Sequence, residues 1–479
     1  MRILFLAAEA APLVKVGGLA DVVGSLPRAL TAFGHDVRIA IPGYGAIDWA
    51  GLEPKWQAMF SVPRGGGDQT AEIFETAIGR VPVWLVTGPP IPKDRRIYGS
   101  GIGEDGPKFI FFSLAALWAT QALNWKPDIV HAHDYHAGAA VYWLGTSGRS
   151  NTFFHDVASL FTIHNLPYAG EGAGRFLGEY GLPRSDAIFA LPERFRDSLL
   201  GAALVTADHL STVSPTYARE IQTAPAGNGL EHVLYARRER LAGILNGIDT
   251  DAWNPATDPA LGQRYDVASL DRRNANKIAL QKEVGLAPDP RSPLLGVVSR
   301  LDSQKGFDIA GAGVLRWLEL GGQFVLVGIG DPRLEHDFAA LETAFPARAS
   351  VRLRFDGRYA RRIYAGADAL LIPSRYEPCG LTQMIGMRYG SIPIARRTGG
   401  LADTIRDAGE PGGTGILFDE YNPGALGHAL ERALPLYSHA VEWKRMIERG
   451  MRSDFSWNRS ARRYDELYRR IVAFARRSA

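Results

Sequence analysis

A carboxylate and two cations stand where an α/β chain would place a ligand. The stretch Pro373-Ser374-Arg375-Tyr376-Glu377-Pro378-Cys379-Gly380-Leu381-Thr382-Gln383 follows the apolar run Ala369–Ile372. It leads into Leu381, Met384, Ile385 and Met387, spaced like one face of a helix. Glu377 therefore falls where a strand ends and a helix begins, the ligand-binding end of a parallel sheet. Gly380 lets the backbone approach a ligand, and the amides of Gly380, Leu381 and Thr382 can face an anion at the helix start. A carboxylate for hydroxyls beside amides for a phosphate describes a sugar phosphate. The plainer reading is that Glu377 caps the helix. Arg300 and Lys305 follow another strand-like run, and two cations five residues apart can grip a diphosphate from one side. Their plainer reading is a solvated loop.

The first half carries a weaker echo. Lys15-Val16-Gly17-Gly18 lies between a strand-like segment and a helix-like one, so the Gly17 and Gly18 amides can meet a phosphate with Lys15 beside them. The pattern is neither the dinucleotide Gly-x-Gly-x-x-Gly nor a P-loop, which counts against a nicotinamide enzyme. Thr398-Gly399-Gly400-Leu401-Ala402-Asp403 repeats Val16-Gly17-Gly18-Leu19-Ala20-Asp21 in the second half. His131, His133, Asp134 and His136 crowd another strand end; sugar contacts suit that position better than a metal. Cys379 is the single cysteine, which excludes an intrachain disulfide and favours a reducing compartment. A buried wall residue is the better reading for it than a nucleophile.

Positioning these residues takes repeated β-loop-α units. Residues 3–8, 37–41, 81–86, 128–132 and 160–163 read as strands, with strand ends at Glu9, Asp134, His164 and Ser214 sharing one sheet edge. Residues 19–33 and 109–123 read as helices. Residues 165–200, punctuated by Gly and Pro, read as a mobile segment. After the turn-rich residues 244–249 the rhythm restarts with strands at 294–299, 324–327, 369–372 and 392–395. A chain of 479 residues exceeds one core, so two domains are expected. With 46% hydrophobic and 22% charged residues and a net charge of +3, the composition is that of a globular protein with no basic run for nucleic acid or membrane. The opening residues 1–8 read as a first strand rather than a signal peptide, since Glu9 interrupts a short apolar run.

Taken together, these stretches resemble the bacterial glycogen synthases and plant-type starch synthases, over nearly the whole chain. The carriers are Lys15 to Asp21, Val130-His131-Ala132-His133-Asp134, Thr162-Ile163-His164-Asn165, Thr212 to Ala218, Asn246-Gly247-Ile248-Asp249, Ser299-Arg300-Leu301 with Gln304-Lys305-Gly306, the Glu377 stretch, and Arg397 to Leu401. No single one would suffice. The resemblance implies a GT-B α/β fold: two Rossmann-like doubly wound domains facing a deep cleft. Its parts would be an acceptor-side domain at 1–245, a nucleotide-sugar domain at 246–455, and a C-terminal helix at 456–479 crossing back to the first. It implies a cytoplasmic retaining hexosyltransferase that moves glucose from ADP-glucose to the non-reducing 4-hydroxyl of an α-1,4-glucan. No metal or other cofactor is implied, and no nucleic acid or membrane partner.

By position, the resemblance makes Glu377, His164, Arg300 and Lys305 catalytic. It puts Lys15, Gly18, Asp21, Asn246, Phe355, Cys379, Gly380, Leu381 and Thr382 around the donor, with Phe355 against adenine. Glu9, Asp134 and Tyr135 fall on the acceptor side. The chain departs from the family pattern at Tyr135-His136, usually Trp-Gln, and at Gly201, usually lysine. It departs again at Arg354-Phe355-Asp356-Gly357, usually Gly-Tyr-x-Glu, and in the loop 166–197. The alternatives are a related transferase using UDP-glucose or another acceptor, or a catalytically weak glucan-binding paralogue. Oligomeric state and allosteric control are not legible.

Overall fold

The computed structural model describes residues 1–478. The chain forms two compact units, Met1–Gly247 with Trp457–Ala479, and Ile248–Ser456. No helix among the described residues is long and apolar enough to cross a membrane.

The first unit is built on a nine-stranded sheet. Its strands are β1 (Arg2–Leu6), β2 (Asp36–Pro42), β3 (Lys55–Val62), β4 (Gln69–Ile78), β5 (Val81–Thr87), β6 (Ile129–His133), β7 (Ala158–Ile163), β8 (His209–Thr212) and β9 (Leu241–Gly243), in the order β3-β4-β5-β2-β1-β6-β7-β8-β9. All neighbours are parallel except β3-β4 and β4-β5. Ile3, Leu4, Phe5 and Leu6 are wholly buried, as a strand covered on both faces requires. Each such side chain contributes about 1.5–3 kcal/mol by leaving water. The chain returns to this unit at the helix Trp457–Ser478, whose apolar face puts Tyr464, Leu467, Tyr468 and Ile471 in the same core. His35 Nε2 meets Asp465 Oδ1 at 2.9 Å, and Ser460 Oγ donates to the Leu245 carbonyl at 2.6 Å, tying that helix down at two points.

The second unit has six parallel strands, β10 (Leu294–Val298), β11 (Gln323–Val327), β12 (Ala349–Arg352), β13 (Ala369–Ile372), β14 (Ile392–Arg396) and β15 (Ile416–Phe418), ordered β12-β11-β10-β13-β14-β15. Its core gathers Leu295, Val297, Phe324, Leu326, Leu371 and Ile394 with Trp317 from a covering helix.

Both sheets reverse their winding once. In the first, β1 is followed by β2 on one side and flanked by β6 on the other; in the second, β10 is flanked by β11 and β13. At such a reversal the two connections leave in opposite directions, and a crevice opens beyond the strands' carboxyl ends. The residues after β1 and β6, and after β10 and β13, are therefore the ones the topology offers to a ligand.

Two expectations need correcting. The helix expected at 109–123 begins earlier, at Ile102, with Pro107 inside it. Residues 165–200 are not a loose loop: they fold as the short 3-10 helices Ala173–Tyr180, Asp186–Ala190 and Glu193–Phe195, with Tyr180 and Phe195 buried. Tyr180 is held further by donating to the Pro107 carbonyl at 3.2 Å.

Candidate active site

In the second unit the reversal point holds an ion pair. Lys305 Nζ lies 2.9 and 2.7 Å from the two carboxylate oxygens of Glu377, and Ser374 Oγ donates to Oε2 at 2.9 Å. Glu377 is only 6% exposed. The helix that follows, Thr382–Arg388, has Leu381 at its N-cap and no side-chain cap. Glu377 is thus not a helix cap. A lysine has three protons, and two point at Glu377, so one remains for an anion.

The backbone here is held by close approach. Gly306 has φ +77, and a Cβ there would lie 1.9 Å from the Pro373 carbonyl oxygen, so the turn after β10 presses on the end of β13. A Cβ on Gly399 would lie 1.9 Å from the Glu377 carbonyl oxygen, and Gly400 donates its amide to that oxygen at 3.0 Å. The Gly399-Gly400 pair buttresses Glu377 and Cys379 from behind. Its likeness to Gly17-Gly18 is one of sequence, not of role. Cys379 is buried, and Gln383 Nε2 donates to the Cys379 and Gly380 carbonyls at 3.0 Å each, which fixes the turn.

Arg300 turns elsewhere. Its guanidinium is 2.8 Å from Asp302 Oδ2 and 3.2 Å from Gln304 Oε1, and its side chain is mostly solvent-exposed. The structure does not join it to Lys305 or Glu377 by a hydrogen bond. Phe355 is 88% exposed, while Asp356 beside it caps the helix Gly357–Gly366 by accepting from the Tyr359 amide at 2.9 Å. An aromatic ring presented this openly on a capped turn suits a flat partner.

The first unit's reversal point is chemically different. His133 Nδ1 lies 2.8 Å from His164 Nε2. The His164 amide donates to Asp134 Oδ1 at 2.7 Å. Burial carries His164 down to about 3 and His133 well below the ordinary histidine range, so both rings are neutral near pH 7. Burial also carries the Asp134 carboxyl up to about 7, against the amides of His164 and Asn165 that stabilise its charged form. Asp134 has φ 56 and ψ −179, a region that side chains avoid at a cost of roughly 1–3 kcal/mol. The strain aims its carboxylate back across the end of β7. Asn246 is 7% exposed, and its Oδ1 has no hydrogen-bond partner among the described residues.

His131 belongs to the core instead. Its nitrogens meet Tyr468 OH at 2.7 Å and Thr162 Oγ1 at 2.6 Å. No group of three or more His, Cys, Asp or Glu side chains among the described residues has metal-holding geometry.

The loop 15–18 is also organised from within. Glu9 is 3% exposed; its Oε2 accepts from the amides of Val16 at 2.5 Å and Gly17 at 2.9 Å, and Tyr98 donates its hydroxyl to Oε1. Glu9 anchors the loop, and the Gly17 amide is occupied rather than open to a phosphate. Sequence reasoning missed Tyr98, because nothing near it in the chain marks it as Glu9's partner. Lys15 Nζ pairs with Asp21 Oδ1 at 2.6 Å, and Gly18 begins the helix Gly18–Thr31. The rings of Tyr135 and His136 lie tilted at 35° with centroids 3.9 Å apart, and a Cβ on Gly170 would lie 2.4 Å from the Tyr135 ring. At Gly201 a Cβ would lie 2.6 Å from the Phe195 carbonyl oxygen, so a lysine there would displace the 3-10 helix Glu193–Phe195.

Comparison with known proteins agrees with this division. Residues 2–236 match the family described as starch synthase catalytic domain, and residues 281–450 match glycosyl transferases group 1. The chain is 42% identical to a glycogen synthase of Geotalea daltonii, covering 99% of each chain. It is 41% identical to glycogen synthase 1 of Synechocystis sp., over 98% of this chain and 95% of that one. Among solved structures, the catalytic domain of starch synthase IV from Arabidopsis thaliana, bound to ADP and acarbose, is similar with a TM-score of 0.90 and 36% identity, over 98% and 99% of the two chains. With its two parallel-sheet units and these full-length relatives, the chain belongs to the glycogen synthase and starch synthase family of GT-B glycosyltransferases.

Proposed function

We propose that this glycosyltransferase transfers glucose from ADP-glucose to the non-reducing 4-hydroxyl of an α-1,4-glucan with retention of configuration. The observation that carries the reading is the Lys305–Glu377 pair at the reversal point of the second sheet. The ADP in the similar starch synthase IV structure supports an adenine nucleotide.

Lys305 donates its remaining N–H to the diphosphate in a hydrogen bond, keeping its charge, and Arg300 adds charge by leaving Asp302. Glu377 accepts from hydroxyls of the glucose, and the turn Cys379 to Thr382 lines sugar and phosphate. Phe355 takes the adenine. Lys15, Gly18, Asp21 and Asn246 complete the donor contacts. Glu9, Asp134 and Tyr135 serve the acceptor, Glu9 by holding its loop and Tyr98 in place. His164 meets the glucose near the reacting carbon.

As the bond from C1 to the diphosphate oxygen breaks, negative charge grows on ADP and positive charge on the sugar ring. Lys305 and the turn amides stabilise the former. The acceptor O4 forms its bond to C1 on the face ADP leaves, and its proton passes to the departing phosphate oxygen. No covalent nucleophile and no metal enter the scheme, and the enzyme works in the cytoplasm.

Elongation of maltoheptaose by the purified protein tests this, with ADP-glucose and UDP-glucose compared side by side and the new linkage read by NMR. Faster transfer from ADP-glucose into α-1,4 linkages is expected. Preference for UDP-glucose, or a β linkage, overturns it.

A further inference from the structure

Two histidines at the end of the first sheet share one hydrogen bond, and their surroundings decide which gives the proton. Neutral imidazole carries one N–H and one lone pair. In the contact between His133 Nδ1 and His164 Nε2, one nitrogen donates and the other accepts. If His164 donates, the proton of His133 must sit on its Nε2. That atom is buried and has no hydrogen-bond partner among the described residues. A buried N–H without an acceptor is the rarer and costlier arrangement; a lone pair there is tolerated better. His133 therefore donates through Nδ1, and His164 keeps its own proton on Nδ1.

Packing holds His133 in this role. Its ring is stacked on Phe5 of β1, with centroids 5.2 Å apart and planes at 23°. His131 lies beside it, with centroids 4.1 Å apart, and touches Phe5 as well, at 4.7 Å. His131 is itself pinned by Tyr468 and Thr162. His164 is gripped twice by neighbouring residues of one strand end: its ring by His133 and its amide by Asp134. It is half-buried, and Nδ1 is the nitrogen left for a ligand.

We propose that His133 is a positioning residue that fixes His164 as the Nδ1–H tautomer, so that His164 meets its substrate as a hydrogen-bond donor and not as a base. A donor suits a sugar hydroxyl or the ring oxygen, which offer lone pairs. This rests on the reading above that His164 touches the donor glucose.

The tautomer is measured without substrate, by long-range nitrogen–proton correlation on the full chain labelled with 15N-histidine, with His164→Gln used to assign the signal. His164 protonated at Nδ1 is expected. His133→Phe keeps the stacked ring but removes the donor, so His164 should lose its single tautomer and show a mixture of Nδ1–H and Nε2–H forms. His133→Asn places an amide N–H near the lost Nδ1–H and should restore the Nδ1–H form. Transfer should follow: kcat falls roughly ten- to a hundredfold in His133→Phe with KM for ADP-glucose little changed, and recovers most of that loss in His133→Asn. An Nε2–H signal for His164 in the unaltered protein overturns the proposal, as does an unchanged kcat in a folded His133→Phe variant. Should His133→Phe fail to fold, the unaltered spectrum and His133→Asn decide it. Absence of transfer from ADP-glucose by the unaltered protein would overturn the proposed function and leave the tautomer measurement standing.

Discussion

The two units use the same device, a winding reversal in a parallel sheet, and fill it with opposite chemistry. At the end of β6 and β7 stand uncharged histidines and a carboxyl whose pKa is raised to about 7. At the end of β10 and β13 stand a lysine and a glutamate locked in an ion pair, with no histidine in either stretch. The topology fixes where a ligand can sit; the residues after the strands fix which part of it. Charge in the second unit suits a diphosphate, and neutral hydrogen-bonding groups in the first suit sugar hydroxyls.

Removing charge from each unit tests that contrast, and the largest effect is expected at Glu377. Glu377→Gln keeps the shape and lowers transfer by about two to three orders of magnitude, with the circular dichroism of the folded protein unchanged. A loss under tenfold would dissolve the difference between the units. Asp134→Asn should act with the opposite sign on stability. With its folded pKa raised to about 7 against 3.8 for the free group, Asp134 binds its proton more tightly in the folded state. Stability it contributes is present below pH 4 and lost as pH rises to 7. The asparagine, which still accepts from the His164 amide, should stabilise the protein at pH 8 by roughly 1–3 kcal/mol while impairing transfer. Urea unfolding at pH 5 and pH 8 measures this, and equal gains at both would contradict it.

Lys305→Ala leaves a nearly buried carboxylate without its cation and should cost roughly 2 kcal/mol. Lys305→Ala/Glu377→Ala should cost less than the sum of the two single changes, as an interacting pair requires. The histidines give a gentler signature. His131, His133, His136 and His164 are held neutral by burial, so their contribution is present above the unfolded value of 6.5 and lost as pH falls below it. Hydrogen exchange in the full chain should show β6 and β7 losing protection between pH 6.5 and 5 before β10 and β13 do. Phe355→Ala should matter least, raising KM for ADP-glucose only a few-fold, since one face of stacking is worth about 1 kcal/mol.

The central parallel strands were legible because buried strands are continuous apolar runs, and β13 was read at its observed bounds; the short parallel edge strands β9, β12 and β15 were not read. The hairpin β3–β4 was not: its residues are half exposed, and a glycine-rich turn hides the alternation. Glu377 and Lys305 were legible as strand-end residues, but their bond spans 72 positions of sequence and no local pattern announces it. Glu9 was read as a strand end, and the resemblance put it on the acceptor side; its loop-anchoring bonds became visible only in space. Likewise, His131 and His133 are equivalent in sequence, two apart on one strand. What separates them is Tyr468, 337 residues away, which claims one and leaves the other for His164.

That distant tyrosine has a consequence for synthesis. The first unit is closed by a helix that follows the second unit in the chain, while the second unit is one uninterrupted stretch. On the ribosome, the second unit has its whole sequence before the first does. A chain released anywhere before residue 457 lacks Tyr464 and Tyr468 and leaves His131 without the hydroxyl that holds it. The histidine site of the first unit is therefore completed only after the whole second unit has been made.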